Sequence, residues 1–185
     1  MKQSPRERLL AAVAELTYRD GVTIGVEALC KAAGVSKRSM YQLFTSKDEL
    51  LAASLERRAA ATGGRLIPPA DSPLPPRERI LYVFERLEEH ALLPEYMGCP
   101  YLVMQVELKD TEHPASRVGR RVKQELELFF RNEAERGGAA EPELVARQLV
   151  LVFDGASARA GIRADDVQGL ATAMVIMLLD AAGVR

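Results

Sequence analysis

The chain has 185 residues, of which 48% are hydrophobic and 28% charged, a composition typical of a folded protein with one large or two small domains. Its two cysteines are far apart, which argues against both a disulfide framework and a cysteine-ligated zinc site. The most apolar segment, 174–179, is too short to cross a bilayer, and the first residues lack a signal-peptide pattern. We therefore expect a cytoplasmic protein without a membrane partner.

The formal net charge of −1 conceals an asymmetry between the two parts of the chain. Residues 1–66 contain 11 Lys and Arg against 7 Asp and Glu, a net charge of +4, whereas residues 67–185 contain 14 against 19, a net charge of −5. A basic N-terminal segment suits a protein that presents only one part to phosphate groups. Many helical segments carry a similar charge, so this feature alone does not identify a nucleic-acid-binding protein.

The first predicted helix extends from Pro5 to Asp20. Ser4 is a good N-cap, Pro5 fits the first helical position, and Gly21 follows the end. Apolar or small side chains recur on one face of this helix, at Leu9, Leu10, Val13, Leu16 and Thr17. This periodicity predicts an amphipathic helix with one buried face.

Three more helices are predicted before residue 66, at about 26–33, 37–43 and 46–61. Serine N-caps and glycine stops mark their ends, namely Gly34, Ser36, Ser46, Gly63 and Gly64. The fourth helix also carries two carboxylates in its first turn, where the helix dipole favours them. We predict a three-helix domain at 1–50, with the fourth helix (46–63) as its connection to the rest of the chain.

A proline-rich stretch at 68–76 predicts a boundary, and five further helices follow it. They are expected at about 77–93, 100–110, 114–136, 142–161 and 166–183. No alternating strand pattern occurs anywhere in the chain. The predicted fold class is all-α with about nine helices: an N-terminal helix-turn-helix domain and a C-terminal helical bundle at 66–185.

Residues 25–44 meet the physical requirements of a helix-turn-helix, in which two short helices cross through a tight turn that often contains glycine. Gly34 supplies the turn, and Leu29, Val35 and Met40 can hold the two helices together. The second helix would then place its N-terminal side chains in a major groove. Ordinary αα-packing would produce the same pattern, so the spacing alone leaves both readings open.

The run AGVSKRSMYQLFTSKDELL resembles the DNA-binding domain of the tetracycline-repressor (TetR) family, and the match covers about residues 6–57. The resemblance implies that Tyr41 and Lys47 contact backbone phosphates of double-stranded DNA. It implies that Phe44 is a packing residue. It also implies that five side chains lie near base edges or phosphates: Ser36, Lys37, Arg38, Ser39 and Gln42.

The chain departs from the family pattern at the start of the second helix. The family commonly has a small hydroxyl residue as the cap of this helix, whereas here that position is Gly25. Glycine leaves backbone N–H groups open to a phosphate but offers no side-chain contact. Thr23 is the candidate substitute for the missing hydroxyl. Cys30, at a position where the family often has alanine, is expected to be a small core residue.

The remainder of the chain resembles one broad subgroup of the family at Gly98-Cys99-Pro100, Glu107, His113-Pro114 and Phe153–Ala156. This resemblance implies a helical body that dimerises and senses an effector. Soft and polar side chains suit a pocket for a small apolar ligand. The candidate ligand-binding residues are His90, Tyr96, Cys99, Tyr101, Met104 and His113. Core packing between helices is the alternative, and Cys99 as a redox-sensing thiol is another.

The last two predicted helices carry small and apolar residues around much of their circumference. Pairing of these helices in a homodimer would bury them, although burial within the monomer would explain part of the pattern. A two-fold dimer would set two recognition helices about one DNA turn (~34 Å) apart on a near-palindromic operator.

No set of acid, base and nucleophile occurs in the sequence, and no cofactor or metal site is predicted. We therefore predict a TetR-like regulator, more often a repressor than an activator, released from its operator by a small-molecule effector. One alternative is a DNA-binding regulator without a small ligand, which senses a protein partner or oxidation of Cys99. A helical enzyme with an incidental αα-turn is the third.

Overall fold

A computed structural model describes residues 3–164 and 166–185, with only the backbone of 62–65. These residues form nine α-helices and no strand, so the all-α prediction is confirmed. No helix in this described part is long and apolar enough to cross a membrane. The helices are α1 Pro5–Asp20, α2 Val26–Ala33, α3 Lys37–Leu43, α4 Lys47–Leu66, α5 Pro76–Ala91, α6 Pro100–Leu108, α7 Pro114–Arg136, α8 Pro142–Gly161 and α9 Leu170–Ala181.

Three serines cap the N-termini of helices as predicted. The hydroxyl oxygens of Ser4, Ser36 and Ser46 accept hydrogen bonds from the backbone N–H three residues later, at 3.2, 3.0 and 3.1 Å. Each bond satisfies one of the N–H groups that a helix leaves without an internal partner. The first three helices have the predicted bounds.

Two predicted helix ends are wrong. We predicted that Gly63 and Gly64 end the fourth helix, whereas α4 continues through them to Leu66. Glycine costs a helix only about 1 kcal/mol and retains its N–H, so two glycines do not stop a helix that is otherwise favoured. The last helix begins at Leu170 and not at 166, because Gly169 adopts a left-handed conformation with φ of +72°.

The chain divides into two compact units. The first comprises Met1–Ala60 and Pro100–Arg121, and the second comprises Ala61–Cys99 and Val122–Arg185. In the first unit α1 packs against α2 and α3, and fully buried Leu9, Leu29, Met40 and Leu50 form its core. The predicted functional division at 50–66 stays a prediction, since compactness alone assigns no ligand-binding or dimerising role.

In the second unit α5 packs against α8 and α9. The Phe84 ring stacks on Phe130 with centroids 5.6 Å apart and meets Phe153 edge-on at 6.2 Å. Such aromatic pairs add stabilisation beyond the apolar area that they bury. Glu88 accepts hydrogen bonds from both the backbone N–H and the hydroxyl of Thr172, each 2.9 Å long, and thereby caps α9.

Candidate nucleic-acid interface

Helices α2 and α3 are held together by a small apolar core beneath a glycine turn. Leu29 and Met40 are buried, as the helix-turn-helix prediction requires, whereas Val35 is only half-buried; the small Ala33 is buried as well. Gly34 has φ of +60° and ψ of 40°, the left-handed conformation in which glycine ends helices without a Cβ penalty. The Val35 N–H donates to the Cys30 carbonyl at 3.0 Å and closes the turn. The second helix of the motif therefore starts in a fixed direction.

Arg8 on α1 fastens this turn from outside. Its Nε donates to the Ala33 carbonyl at 3.0 Å, and its terminal nitrogen reaches the Gly34 carbonyl at 3.4 Å. These carbonyls lie at the end of a helix, where backbone acceptors lack internal partners. Sequence reasoning missed Arg8, because a pairing across 25 residues leaves no signal in local spacing.

The predicted contact residues on the exposed face of α3 differ in whether they already bond other groups of the protein. The Ser36 and Ser39 hydroxyls are 2.8 Å apart and take part in the N-cap, and Lys37 lies 3.7 Å from the exposed Glu27 carboxylate. Arg38 and Gln42 are exposed and make no hydrogen bond or ion pair with the described part of the chain. Their donors are therefore available to a partner.

Tyr41 is the largest apolar side chain that α3 exposes, at 49% of its surface. Phe44, one residue after the helix, is buried, and the Arg6 guanidinium lies 5.4 Å from the centre of its ring. One aromatic side chain thus packs inside the domain while the other is exposed on α3.

Lys47 is half-buried at the start of α4, and its ammonium is already engaged. Nζ donates to the Val22 carbonyl in the α1–α2 turn at 2.6 Å. An ammonium has three donors, so two remain for a phosphate. Thr23, the next residue in this turn, is exposed. Gly25 is the N-cap of α2 and provides no side-chain hydrogen bond, as the sequence predicts.

The carboxylate of Glu49 completes the cap of α4. Its Oε2 accepts from the backbone N–H and from the hydroxyl of Thr45, both at 2.6 Å. These hydrogen bonds hold the pKa of Glu49 below its ordinary value. The spacing of Ser46 and Glu49 is that of a capping box, which would direct Glu49 to the Ser46 N–H, whereas here it bonds the preceding residue, Thr45.

The candidate ligand residues are distributed over both units. His90, Tyr96 and Cys99 belong to the second unit, and Cys99 is buried. The buried Tyr101 and Met104, together with half-buried His113, belong to the first unit. Their ligand role stays a prediction.

Two of these residues have identifiable surroundings in the first unit. Met104 lines a small recess together with residues of α1 and α4, among them Thr17, Leu55 and Arg58. The His113 ring is engaged at both nitrogens: Nδ1 accepts from the Ala115 N–H at 3.1 Å, and Nε2 lies 3.2 Å from an Asp48 carboxylate oxygen.

The Cys30 thiol is buried in the core of the first unit, as predicted for a small core residue. Burial raises the pKa of this thiol, which keeps it protonated and unreactive at neutral pH. Among the side chains that the structure describes, no three His, Cys, Asp or Glu residues gather in a way that could hold a metal ion.

Comparison with known proteins identifies the family. The sequence model of the family described as bacterial regulatory proteins, tetR family, matches residues 9–54, which include α2 and α3. A crystal structure from Streptomyces avermitilis, assigned to the TetR transcriptional regulators, is 67% identical with a TM-score of 0.97 and covers 99% of this chain and 100% of its own. The reduced form of NemR from E. coli is 26% identical with a TM-score of 0.81, covering 94% and 95%.

An uncharacterised HTH-type transcriptional regulator from Mycobacterium tuberculosis is 33% identical over 76 residues, which is 40% of this chain and 38% of that protein. The chain thus aligns with less than two thirds of the length of this relative. The match to the structure from Streptomyces avermitilis, by contrast, covers both chains almost completely. The chain belongs to the TetR family of bacterial transcriptional regulators, whose members are DNA-binding proteins and not enzymes.

Proposed function

We propose that the chain is a homodimeric repressor that binds a near-palindromic operator through α3 and leaves it when a small apolar effector binds. The observation that carries this proposal is the exposed face of α3, where Arg38, Tyr41 and Gln42 project from a helix fixed by a buried core and a glycine turn. Long hydrogen-bonding side chains on a rigid helix are what direct reading of a major groove requires.

The proposed contacts fall into two classes. Tyr41 and Lys47 contact phosphates, which fixes the position of the protein on the duplex without reading its sequence. Arg38 and Gln42 read base edges, because guanidinium and amide groups bond bidentately to guanine and adenine. Ser36, Lys37 and Ser39, at the start of the same helix, supplement either class, and so does Thr23, which follows the residue whose carbonyl accepts from Lys47.

The phosphate contacts are tested by the salt dependence of operator binding. Each lost contact between a cation and a phosphate should reduce the slope of log K against log salt by about 0.9, so Lys47→Ala should bind all DNA sequences more weakly and with a shallower slope. Tyr41→Phe should weaken binding in the same sequence-independent way. Arg147→Ala removes an exposed cation of α8 and serves as the control. An unchanged affinity and slope for both test variants would contradict the phosphate roles.

Base reading by Arg38 is tested by sequence preference. Arg38→Ala should lose discrimination at particular base pairs, by about 1–3 kcal/mol per bidentate contact, while its binding to unrelated DNA changes little. Competition between the operator and single-base variants measures this directly. A preference identical to that of the parent protein would remove Arg38 from base reading.

Dimerisation through α8 and α9 is supported by apolar residues that these helices expose. Leu144 and Leu151 lie seven residues apart on α8, and Leu170, Met174 and Met177 recur on one face of α9. Leu151 and Met177 are 72% and 73% exposed, and a soluble monomer rarely leaves such large side chains uncovered in a row. A two-fold dimer would cover both faces at once.

A charged substitution on this face tests the interface. Met177→Glu should convert the dimer to a folded monomer, as measured by light scattering and circular dichroism, and should weaken operator binding. Val106→Glu on α6, which is 61% exposed, is the matched control and should leave the dimer intact. A dimer that survives Met177→Glu and Leu151→Glu would place the interface elsewhere.

The effector proposal rests on two separate sets of candidate residues: buried Tyr101 and Met104 with His113 in the first unit, and buried Cys99 with His90 and Tyr96 in the second. A ligand that binds only the folded protein raises its melting temperature, so a thermal-shift screen of small apolar compounds identifies candidates. A true effector must also lower operator affinity, since coupling between two sites is reciprocal. Compounds that bind without changing operator affinity would contradict release by an effector.

A further inference from the structure

The backbone of Val22, in the turn between α1 and α2, is hydrogen-bonded from two sides within the first unit. Its N–H donates to Oε2 of Glu107 on α6 at 2.7 Å, and its carbonyl accepts from Nζ of Lys47 at 2.6 Å. Both side-chain partners are charged, and hydrogen bonds to charged groups are about twice as strong as neutral ones. The position of this one residue thus connects a carboxylate on α6 with an ammonium at the start of α4.

The turn is shaped to receive the Glu107 carboxylate. Gly21 has φ of +87°, and a Cβ built on it would lie only 2.9 Å from Oε2 of Glu107. Any other residue at this position would therefore be strained and would displace the carboxylate. Val22 itself is buried, so its N–H has little access to water as an alternative partner.

The bond to Val22 also restricts Lys47. A lysine side chain has four rotatable bonds, and fixing it on a phosphate costs conformational entropy when binding occurs. Here the Val22 carbonyl already holds one of the three ammonium donors, which leaves the other two in a defined direction. The Lys47 side chain is therefore partly ordered before DNA binds, as long as the Val22 carbonyl keeps its position.

We infer that Glu107 is a positioning residue for DNA binding, because it fixes the Val22 backbone whose carbonyl orients the Lys47 ammonium toward a phosphate. This inference rests on the phosphate role proposed for Lys47. Glu107 itself does not contact DNA in this scheme. It acts on affinity only through Val22 and Lys47.

Simple electrostatics predicts that removal of the Glu107 carboxylate has the opposite effect on operator affinity. Loss of a carboxylate from a DNA-binding unit removes repulsion from the phosphates and should strengthen binding. A positioning role predicts weaker binding. The sign of the change in operator affinity therefore distinguishes a positioning role from simple charge repulsion.

The test measures operator affinity of the full-length protein at several salt concentrations for Glu107→Ala, Glu107→Gln, Lys47→Ala and the double variant Glu107→Ala with Lys47→Ala. Glu112→Ala is the control, because it removes an exposed carboxylate of the same unit that is paired with Arg117. Glu107→Gln retains an oxygen that can accept from the Val22 N–H. Urea unfolding of each variant reports the fraction of folded protein.

Glu107→Ala should weaken binding by up to about tenfold, the loss expected if the charged Lys47–phosphate hydrogen bond fails completely, and Glu107→Gln should recover most of it. The salt slope should fall by about 0.9 in Lys47→Ala and equally in the double variant, because both lack the ammonium, whereas Glu107→Ala keeps the ammonium and should lose less of the slope. Glu112→Ala should bind as tightly as the parent protein or more tightly.

A merely structural role for Glu107 would lower the folded fraction but leave the operator affinity of the folded protein unchanged, and that result would overturn the inference. Losses that add in the double variant would overturn it as well. If Lys47→Ala binds like the parent protein, the phosphate role of Lys47 fails and the inference fails with it. If only Glu107→Ala binds like the parent protein, the proposed function stands and the inference alone is refuted.

Discussion

Gly25 caps α2 without a side chain, so replacing it with serine should stabilise the protein. Its φ of −73° and ψ of 151° suit any residue, and a Cβ built on it meets no atom within 4 Å. Replacing a glycine in such a conformation stabilises a protein by about 0.4–1 kcal/mol through the unfolded state. A serine hydroxyl in place of the bare glycine cap adds a few tenths of a kcal/mol. We expect a gain of about 1 kcal/mol from the two contributions.

The control is Gly25→Ala, which has the same effect on the unfolded chain but is a poor cap. Serine exceeds alanine at an N-cap by about 1 kcal/mol, so Gly25→Ala should be close to neutral. Urea unfolding followed by circular dichroism measures both variants, and a gain of 1 kcal/mol should raise the melting temperature by about 2–4 °C in a chain of this size. If serine were no more stabilising than alanine, the reasoning about the cap would be wrong.

Two further predictions concern charged side chains. The Arg79–Glu133 ion pair is buried, with Nε and Oε1 2.9 Å apart, so Glu133→Gln should destabilise the second unit by about 3–5 kcal/mol. Glu135→Gln, on the exposed side of α7, is the control and should be neutral. Equal free energies of unfolding for the two variants would contradict this prediction. Because Thr45 lowers the pKa of Glu49, this cap stabilises the fold above the ordinary carboxyl pKa of 4.5 and is lost as the pH falls below it. Glu49→Gln should therefore lose less stability than the parent protein as the pH falls below this value. If the free energy of unfolding of both proteins fell equally with pH in this range, the Thr45–Glu49 bond would be excluded as a source of the loss.

Local signals in the sequence accounted for much of the fold and for the location of the candidate interface. The serine caps and Gly34 are determined by residues within one helical turn, which is why the bounds of the first three helices could be predicted. The tetracycline-repressor resemblance depended on the spacing from Gly34 to Lys47, which is also local.

Contacts between distant parts of the chain could not be predicted from one sequence. Arg8 bonds the turn 25 residues away, and Glu107 bonds Val22 across 85 residues. Side-chain spacing reports only on neighbours along one element, so neither pair produces a pattern. The engagement of Lys47 by the Val22 carbonyl was missed for the same reason. The predicted end of α4 at Gly63 and Gly64 was wrong for a different reason, because the low helix propensity of two glycines is outweighed by the other residues of a long helix.

The most direct test of operator recognition by α3 is selection of bound duplexes from a random DNA pool, carried out in parallel with the full-length protein and with Arg38→Ala. The parent protein should enrich a near-palindromic site whose half-sites are about one helical turn (~34 Å) or a multiple of it apart. The Arg38→Ala variant should enrich sites that have lost preference at specific positions in each half-site. Failure of the parent protein to enrich any sequence, or identical sites from both proteins, would contradict operator recognition through α3 and Arg38.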